Sequence, residues 1–230
     1  MKRRSFLAVS LLVALFLFAL KAQAQHQIKA GTDLPLQYGI AYQYTPDFGI
    51  GGGLKFGILT EPHNQIILAI MKALGTKQDI IDLIDNSFKH GLILDGSSSW
   101  NWKKNYFGLN LVYINLKAGQ VPLDIVNNYY GIDLNTYGLG YLFSQDQMQI
   151  QLSSDLLQFG IHFGRRISLN DKLELQIEIG LNKNIGSTNN LTSDFPYPSL
   201  VFDPIAQDLH STYKKYAIIP SLGIYFVYNI

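Results

Sequence analysis

The stretch that decides the fold is residues 172–182, KLELQIEIGLN. Leu173, Leu175, Ile177, Ile179 and Leu181 fall on one side of an extended chain, with Lys172, Glu174, Gln176, Glu178, Gly180 and Asn182 on the other. A strand alternates its side chains with a period of two, so this is a strand with one apolar face and one polar face. Residues 157–169 repeat the pattern: Leu157, Phe159, Ile161, Phe163 and Ile167 oppose Gln158, Gly160, His162, Gly164 and Arg166. Closing the two on Asn170, Asp171 and Lys172 sets Leu169 opposite Leu173 and brings like faces together.

The same period runs outward from this hairpin. In residues 34–44 the even positions are Leu34, Leu36, Tyr38, Ile40, Tyr42 and Tyr44, while the odd ones are small or polar. After 45–47, Phe48, Ile50, Leu54, Phe56 and Ile58 alternate with Gly49, Gly51, Gly53, Lys55 and Gly57. A three-residue turn there sets Tyr44 opposite Phe48. Weaker strands span 91–102 and 106–117, joined through Lys103, Lys104 and Asn105, and a last one covers about 213–230. That makes seven strands.

Composition narrows the class. The chain has 230 residues, 47% apolar and 15% charged, which excludes a charge-rich disordered chain. A net charge of +1 without a basic run argues against a nucleic-acid partner. The absence of cysteine excludes disulfides and thiolate metal sites. Lys2, Arg3 and Arg4 precede an apolar run over 6–20, then Lys21 and the small-residue triplet Ala22, Gln23, Ala24. This is the order of a secretory signal peptide over 1–24, cleaved before Gln25, and the apolar run is short against the roughly 20 residues that span a bilayer. The mature chain, 25–230, keeps fourteen cations against seventeen acids.

Which face is interior decides between a soluble sandwich and a membrane barrel. The apolar faces are large and aromatic; the opposite faces combine glycine with Gln, Asn, Lys and Glu. Turned inward, the second face gives a narrow barrel its room and a polar filling, while the first meets lipid. An open sheet edge in lipid leaves backbone groups unpaired, so closure follows. Tyr42, Tyr44, Phe48, Trp100, Trp102, Tyr106, Phe107, Tyr213 and Tyr216 lie near strand ends, where aromatic girdles form.

The ending carries a resemblance. Ser221, Gly223, Phe226 and Tyr228 are spaced as in the C-terminal signal of bacterial outer-membrane β-barrels, although Asn229 and Ile230 follow the last aromatic. The mature chain resembles the small outer-membrane barrels of Gram-negative bacteria and is similar in motif order to an uncharacterised outer-membrane barrel family. The resemblance implies an all-β, closed antiparallel transmembrane barrel of about eight strands in the cell outer membrane. It also implies two partners, outer-membrane lipid and the barrel assembly machinery that reads the terminal signal.

An even strand count requires one more strand. The candidate is residues 27–32, turning at 33–35. Short turns at 45–47, 103–105 and 170–172 then face the periplasm, and the long connections 60–90, 119–150 and 187–212 face outward. Residues 62–90 change period: Ile66, Ile67, Ile70, Met71 and Leu74 recur at helical spacing, Gly75 stops the run, and Ile80, Ile81, Leu83, Ile84 and Phe88 form a second stripe. This helical insertion caps the mouth, plugs the lumen or lies beside the barrel. The other loops read as ordinary exposed connections.

For chemistry, His162, Arg166, Glu174, Gln176 and Glu178 share the inward face and read as a polar lumen network before an acid–base site, because charges in a narrow interior must be paired. Arg165 points outward near a turn, where its head reaches the interface. Asp208, His210 and Ser211 lie close in sequence, which alone shows no triad geometry. His26, His63, His90, His162 and His210 have no metal-ligand spacing, and no metal or cofactor is implied. The expected role is a non-enzymatic barrel, structural or surface-binding, whose surface ligand the residues do not name. Pore activity ranks below this, since side chains fill eight strands. The alternatives are a lipid-modifying outer-membrane enzyme and a soluble exported barrel that binds an apolar ligand.

Overall fold

The computed structural model describes residues 24–88, 90–121, 150–192, 198–216 and 218–230. The residues of the signal segment before Ala24 and most of the 119–150 connection lie outside these.

Eight antiparallel strands close on themselves in chain order. They are β1 (Ala24–Leu34), β2 (Gln37–Pro46), β3 (Phe48–Leu59), β4 (Gly91–Trp102), β5 (Asn105–Val121), β6 (Ile150–Ser168), β7 (Leu173–Thr192) and β8 (Ile218–Asn229). Helices α1 (Glu61–Ala73) and α2 (Gln78–Ser87) follow β3, and α3 (Pro198–Tyr216) precedes β8. The eighth strand is the N-terminal one, longer than the segment read from sequence and turning later, at Pro35 and Leu36. It pairs with β2 on one side and β8 on the other, Ile28 facing Tyr42 and Tyr228, which leaves no open edge.

The β6–β7 hairpin has the expected register, Ser168 against Glu174, with Leu169 N–H donating to the Leu173 carbonyl at 2.9 Å. The β2–β3 hairpin does not. Tyr44 faces Gly52, not Phe48, so the connection is wider by four residues. Pro46 lacks an N–H for a tight ladder, and Gly49 takes a φ of +106° that favours glycine. A slip of four is even, and therefore every side chain stays on its expected face.

The outward face is apolar around the whole circumference. Ile40 and Phe56 are each 63% exposed and Phe226 is 65% exposed, and the same holds in kind for Leu109, Phe159, Ile179 and Leu222. The inward positions are Gln, Asn, Ser, Lys, Asp, Glu and glycine in the lower and middle barrel, with an apolar layer above. Three residues depart from the girdle reading. Tyr106 points inward and is 1% exposed; Tyr213 is buried on α3; and Tyr216 ends that helix instead of flanking a strand.

The last strand begins at Ile218, and residues 198–216 are helix instead of loop and strand. In α1 the buried side is His63, Asn64, Leu68 and Met71, leaving Ile66 and Leu74 exposed, so this helix is rotated from the stripe read in sequence. The α2 stripe is as read: Ile80, Ile81, Leu83, Ile84 and Phe88 are all buried. Gly75, at φ +93°, ends the first helix, with its N–H donating to the Lys72 carbonyl.

Candidate functional site: the sealed lumen

The middle of the barrel is filled by a charged lattice drawn from seven strands. Lys55 on β3 lies 2.7 Å from Asp33 of β1 and 2.9 Å from Asp95 of β4, and it donates to the Tyr225 hydroxyl of β8 at 3.1 Å. Lys29 of β1 pairs with Glu178 of β7 and stands 3.9 Å above the Tyr225 ring centre. The Tyr106 hydroxyl of β5 donates to Glu178 at 2.7 Å and lies 3.3 Å from Gln176. His162 of β6 meets the Tyr106 ring edge-on. All these side chains but His162 are buried, and burial of charge is tolerated only where partners compensate it.

Glycine makes the space. Gly164 lies beneath Tyr106, where a Cβ would strike the phenol ring. The cavity left among Lys29, Lys55, Asp95, His162 and Glu178 is about 30 Å³, room for little more than a water molecule.

The five lumen residues named from sequence divide into two groups. Glu178, Gln176 and His162 gather around Tyr106 in the central lattice. Arg166 and Glu174 sit lower, at the mouth on the side of the short turns, which Lys103, Lys104 and Asp47 also line. Arg166 donates to the Lys103 carbonyl at 2.6 Å. The cation on Glu178 is Lys29, from the other end of the chain. Lys29, Asp33, Lys55 and Asp95 were not singled out by sequence reading. The available signal was Lys55, the one cation within the glycine face of residues 49–57.

Above the lattice the interior is apolar. Leu59, Ile93, Val112, Ile114, Leu116, Leu152 and Leu156 form one cluster with Leu68 and Met71 of α1, the α2 stripe, and Leu209 and Tyr213 of α3. The helices therefore close the mouth as a lid. Asn64 donates to the Phe88 carbonyl at 2.8 Å, and Gln65 to Asp85 at 2.9 Å, which ties α1 to α2. His63, 1% exposed, lies 3.1 Å from the Thr60 hydroxyl and 3.3 Å from that of Thr32, with Tyr38 edge-on to its ring. Burial holds its pKa below the ordinary 6.5, against the opposing pull of Asp33.

The serine that His210 meets is Ser187 of β7, at 2.8 Å, and the same nitrogen lies 3.0 Å from the Ser187 carbonyl. The Ser211 hydroxyl donates to the Asp208 main-chain carbonyl. Ser211 and His210 are thus turned to different partners. At the C-terminus, Ser221 and Gly223 face inward while Phe226 and Tyr228 stand on the exterior. Arg165 is exposed beside Asn105, next to the short turns.

A closed barrel of even strand number, apolar outside and polar within, with short turns at one end and helices at the other, is an integral membrane β-barrel of the outer-membrane type. No protein-family model matches the chain, and no curated protein matches it. Among solved structures it is similar to a major outer membrane protein from Thermus thermophilus, at 12% identity and a TM-score of 0.45, covering 90% of this chain and 100% of that one. It is also similar to CarO2 and CarO of Acinetobacter baumannii, at 10% and 11% identity and TM-scores of 0.37 and 0.39. Each covers 90% of this chain, and 98% and 97% of the other. The strand pairing and the exposed belt carry the reading of the fold.

Proposed function

We propose that the protein is a sealed, non-enzymatic barrel of the outer membrane with a structural or surface-binding role, its helical end outward. The observation that carries this is the double closure of the interior: an ion-pair lattice at mid-height and an apolar helical lid above it. A pore needs a continuous aqueous path, and the lattice leaves about 30 Å³. The inward Ser221 and Gly223 and the outward Phe226 and Tyr228 support a terminal segment read by the assembly machinery before the strand is paired.

Membrane fractionation of the full-length protein in a Gram-negative host, followed by electrophoresis with and without boiling, tests the reading. The expected result is retention in the outer-membrane fraction after carbonate washing, with faster migration of the unboiled form. Recovery from the soluble periplasm would overturn it, since the aromatic face would then be an interior one.

A further inference from the structure

At the end of the barrel that carries the short turns, the lumen opens into a depression of about 600 Å³. That volume falls within the roughly 300–1,000 Å³ of small-molecule pockets. Five charged side chains line it: Asp47 from the β2–β3 connection, Lys103 and Lys104 from the β4–β5 turn, Arg166 of β6 and Glu174 of β7. Asp47 and the two lysines are exposed, whereas Arg166 and Glu174 are buried, at 5% and 9% exposure.

Opposite charges share this mouth without meeting. The ion pairs among the described residues lie in the central lattice, and none joins any of these five. Register accounts for the gap between the two buried groups. Ser168 stands opposite Glu174 and Arg166 opposite Gln176, so Arg166 and Glu174 are diagonal neighbours, about 7–8 Å apart at the backbone. Arg166 then turns away from the acid and donates to the Lys103 carbonyl at 2.6 Å. As a result Arg166 Nε and Glu174 Oε2 are both shut off from solvent without a hydrogen-bond partner. A buried polar atom left unpaired bears its full desolvation cost. An orphan donor and an orphan acceptor of opposite charge, on two side chains that line one cavity, are relieved together by a ligand that carries both charges.

We propose that this mouth binds an acidic α-amino acid, a ligand with one ammonium and two carboxylates. Its ammonium rests on Glu174, its α-carboxylate on Arg166 and its second carboxylate on Lys103 and Lys104. An α-amino acid holds ammonium and carboxylate on one carbon, a pair compact enough to enter between diagonal neighbours and bridge them. Three cations against two acids leave the mouth at +1, which an occupant of net charge −1 balances, whereas a basic amino acid adds to the excess. The planar guanidinium suits the α-carboxylate, and the flexible lysines follow the longer side chain. The inference goes beyond the sealed-barrel reading and leaves it intact, because a ligand here stops below the lattice.

The test is calorimetric titration of the micelle-refolded mature barrel with L-glutamate, with glutarate, which lacks the ammonium, and with L-lysine. Wild type is expected to bind glutamate saturably and about tenfold tighter than glutarate, the worth of one hydrogen bond between charged groups. Glu174→Gln brings glutamate down to the level of glutarate, and Arg166→Gln abolishes binding of both. Lys103→Asn with Lys104→Gln, on the exposed turn, weakens both alike; asparagine tolerates the φ of +56° at position 103. Lys72→Gln on α1, at the opposite end, leaves both unchanged and controls for net charge. No saturable binding of glutamate, equal affinity for glutamate and glutarate, or undiminished binding by the turn variant would overturn the proposal. Tighter binding of lysine than of glutamate would overturn the assigned occupant. Heat-modified migration of each variant is read in parallel. A wild type that lacks it fails the barrel reading first, whereas one that shows it and binds no glutamate fails only this inference.

Discussion

At the scale of single residues, Lys55 is a buried cation shared between strands. One ammonium lies against two buried carboxylates, Asp33 and Asp95, and a phenol. Replacing it with methionine keeps the stem and removes the charge, so two carboxylates remain in a cavity with almost no water. Breaking a buried pair from one side costs about 3–5 kcal/mol. Lys55→Met is therefore expected to lower the unfolding free energy of the micelle-refolded barrel, read from urea titration, by that order. The triple variant Lys55→Met, Asp33→Asn, Asp95→Asn recovers most of the loss, because the burden is uncompensated charge and not lost packing. A single variant as stable as wild type, or a triple no better than the single, would show that the lattice is not held by charge. In the sequence Lys55 was legible as inward-facing from period alone. Its partners were not: Asp33 was read as a turn residue, and Asp95 lies forty residues away, where alternation gives a face but no height in the barrel.

Among the elements, the lid joins sequence pattern to conditional stability. His63 docks α1 to the barrel rim through Thr60 and Thr32, buried and held neutral by desolvation. In the undocked or unfolded chain it titrates near the ordinary 6.5. A depressed native pKa means that the stabilising contribution is whole above that value. It is lost progressively as pH falls from there towards the lower native pKa, since the undocked state then binds more protons. The protection of α1 against hydrogen exchange, corrected for the intrinsic rate at each pH, is thus expected to fall on acidification from about pH 7.5 to about 5.5, and in His63→Gln it is flat over that window. Equal pH dependence in both proteins would remove His63 as its cause. The α2 stripe was plain in the sequence because five apolar residues agree on one face. The face of α1 was not, because its buried side includes His63 and Asn64, polar residues satisfied by the rim and by Phe88. The α3 helix was missed for a related reason: Pro204 and a run of polar residues obscure Ile205, Leu209 and Tyr213, which stand four apart.

For the whole molecule, the two closures are built from different residues, and this yields a prediction about conduction. β3 and β4 remain paired up to the insertion itself, Leu59 facing Gly91, so residues 61–89 can be replaced by a short Gly-Ser turn without breaking the ladder. What excision removes is the part of the apolar layer that α1 and α2 lay over Ile93, Ile114, Leu116 and Leu152, leaving Leu209 and Tyr213 of α3 in place. What it leaves is the lattice of Lys29, Asp33, Lys55, Asp95 and Glu178, held by ion pairs between strands. An eight-stranded barrel is just wide enough for its own side chains. The lid-deleted protein is therefore expected to keep heat-modified migration, to bind more of an apolar dye at its newly open mouth, and to show no step conductance in a planar bilayer. Closure of the barrel was legible from residue chemistry, since a lipid-facing exterior cannot tolerate an open edge. The seal was not, because it depends on which inward residues share a level, and strand tilt sets that outside the reach of periodicity. Discrete conductance steps after removal of the lid alone would show that the lattice is permeable and that the helices are a gate, which would move the molecule from a sealed barrel to a channel.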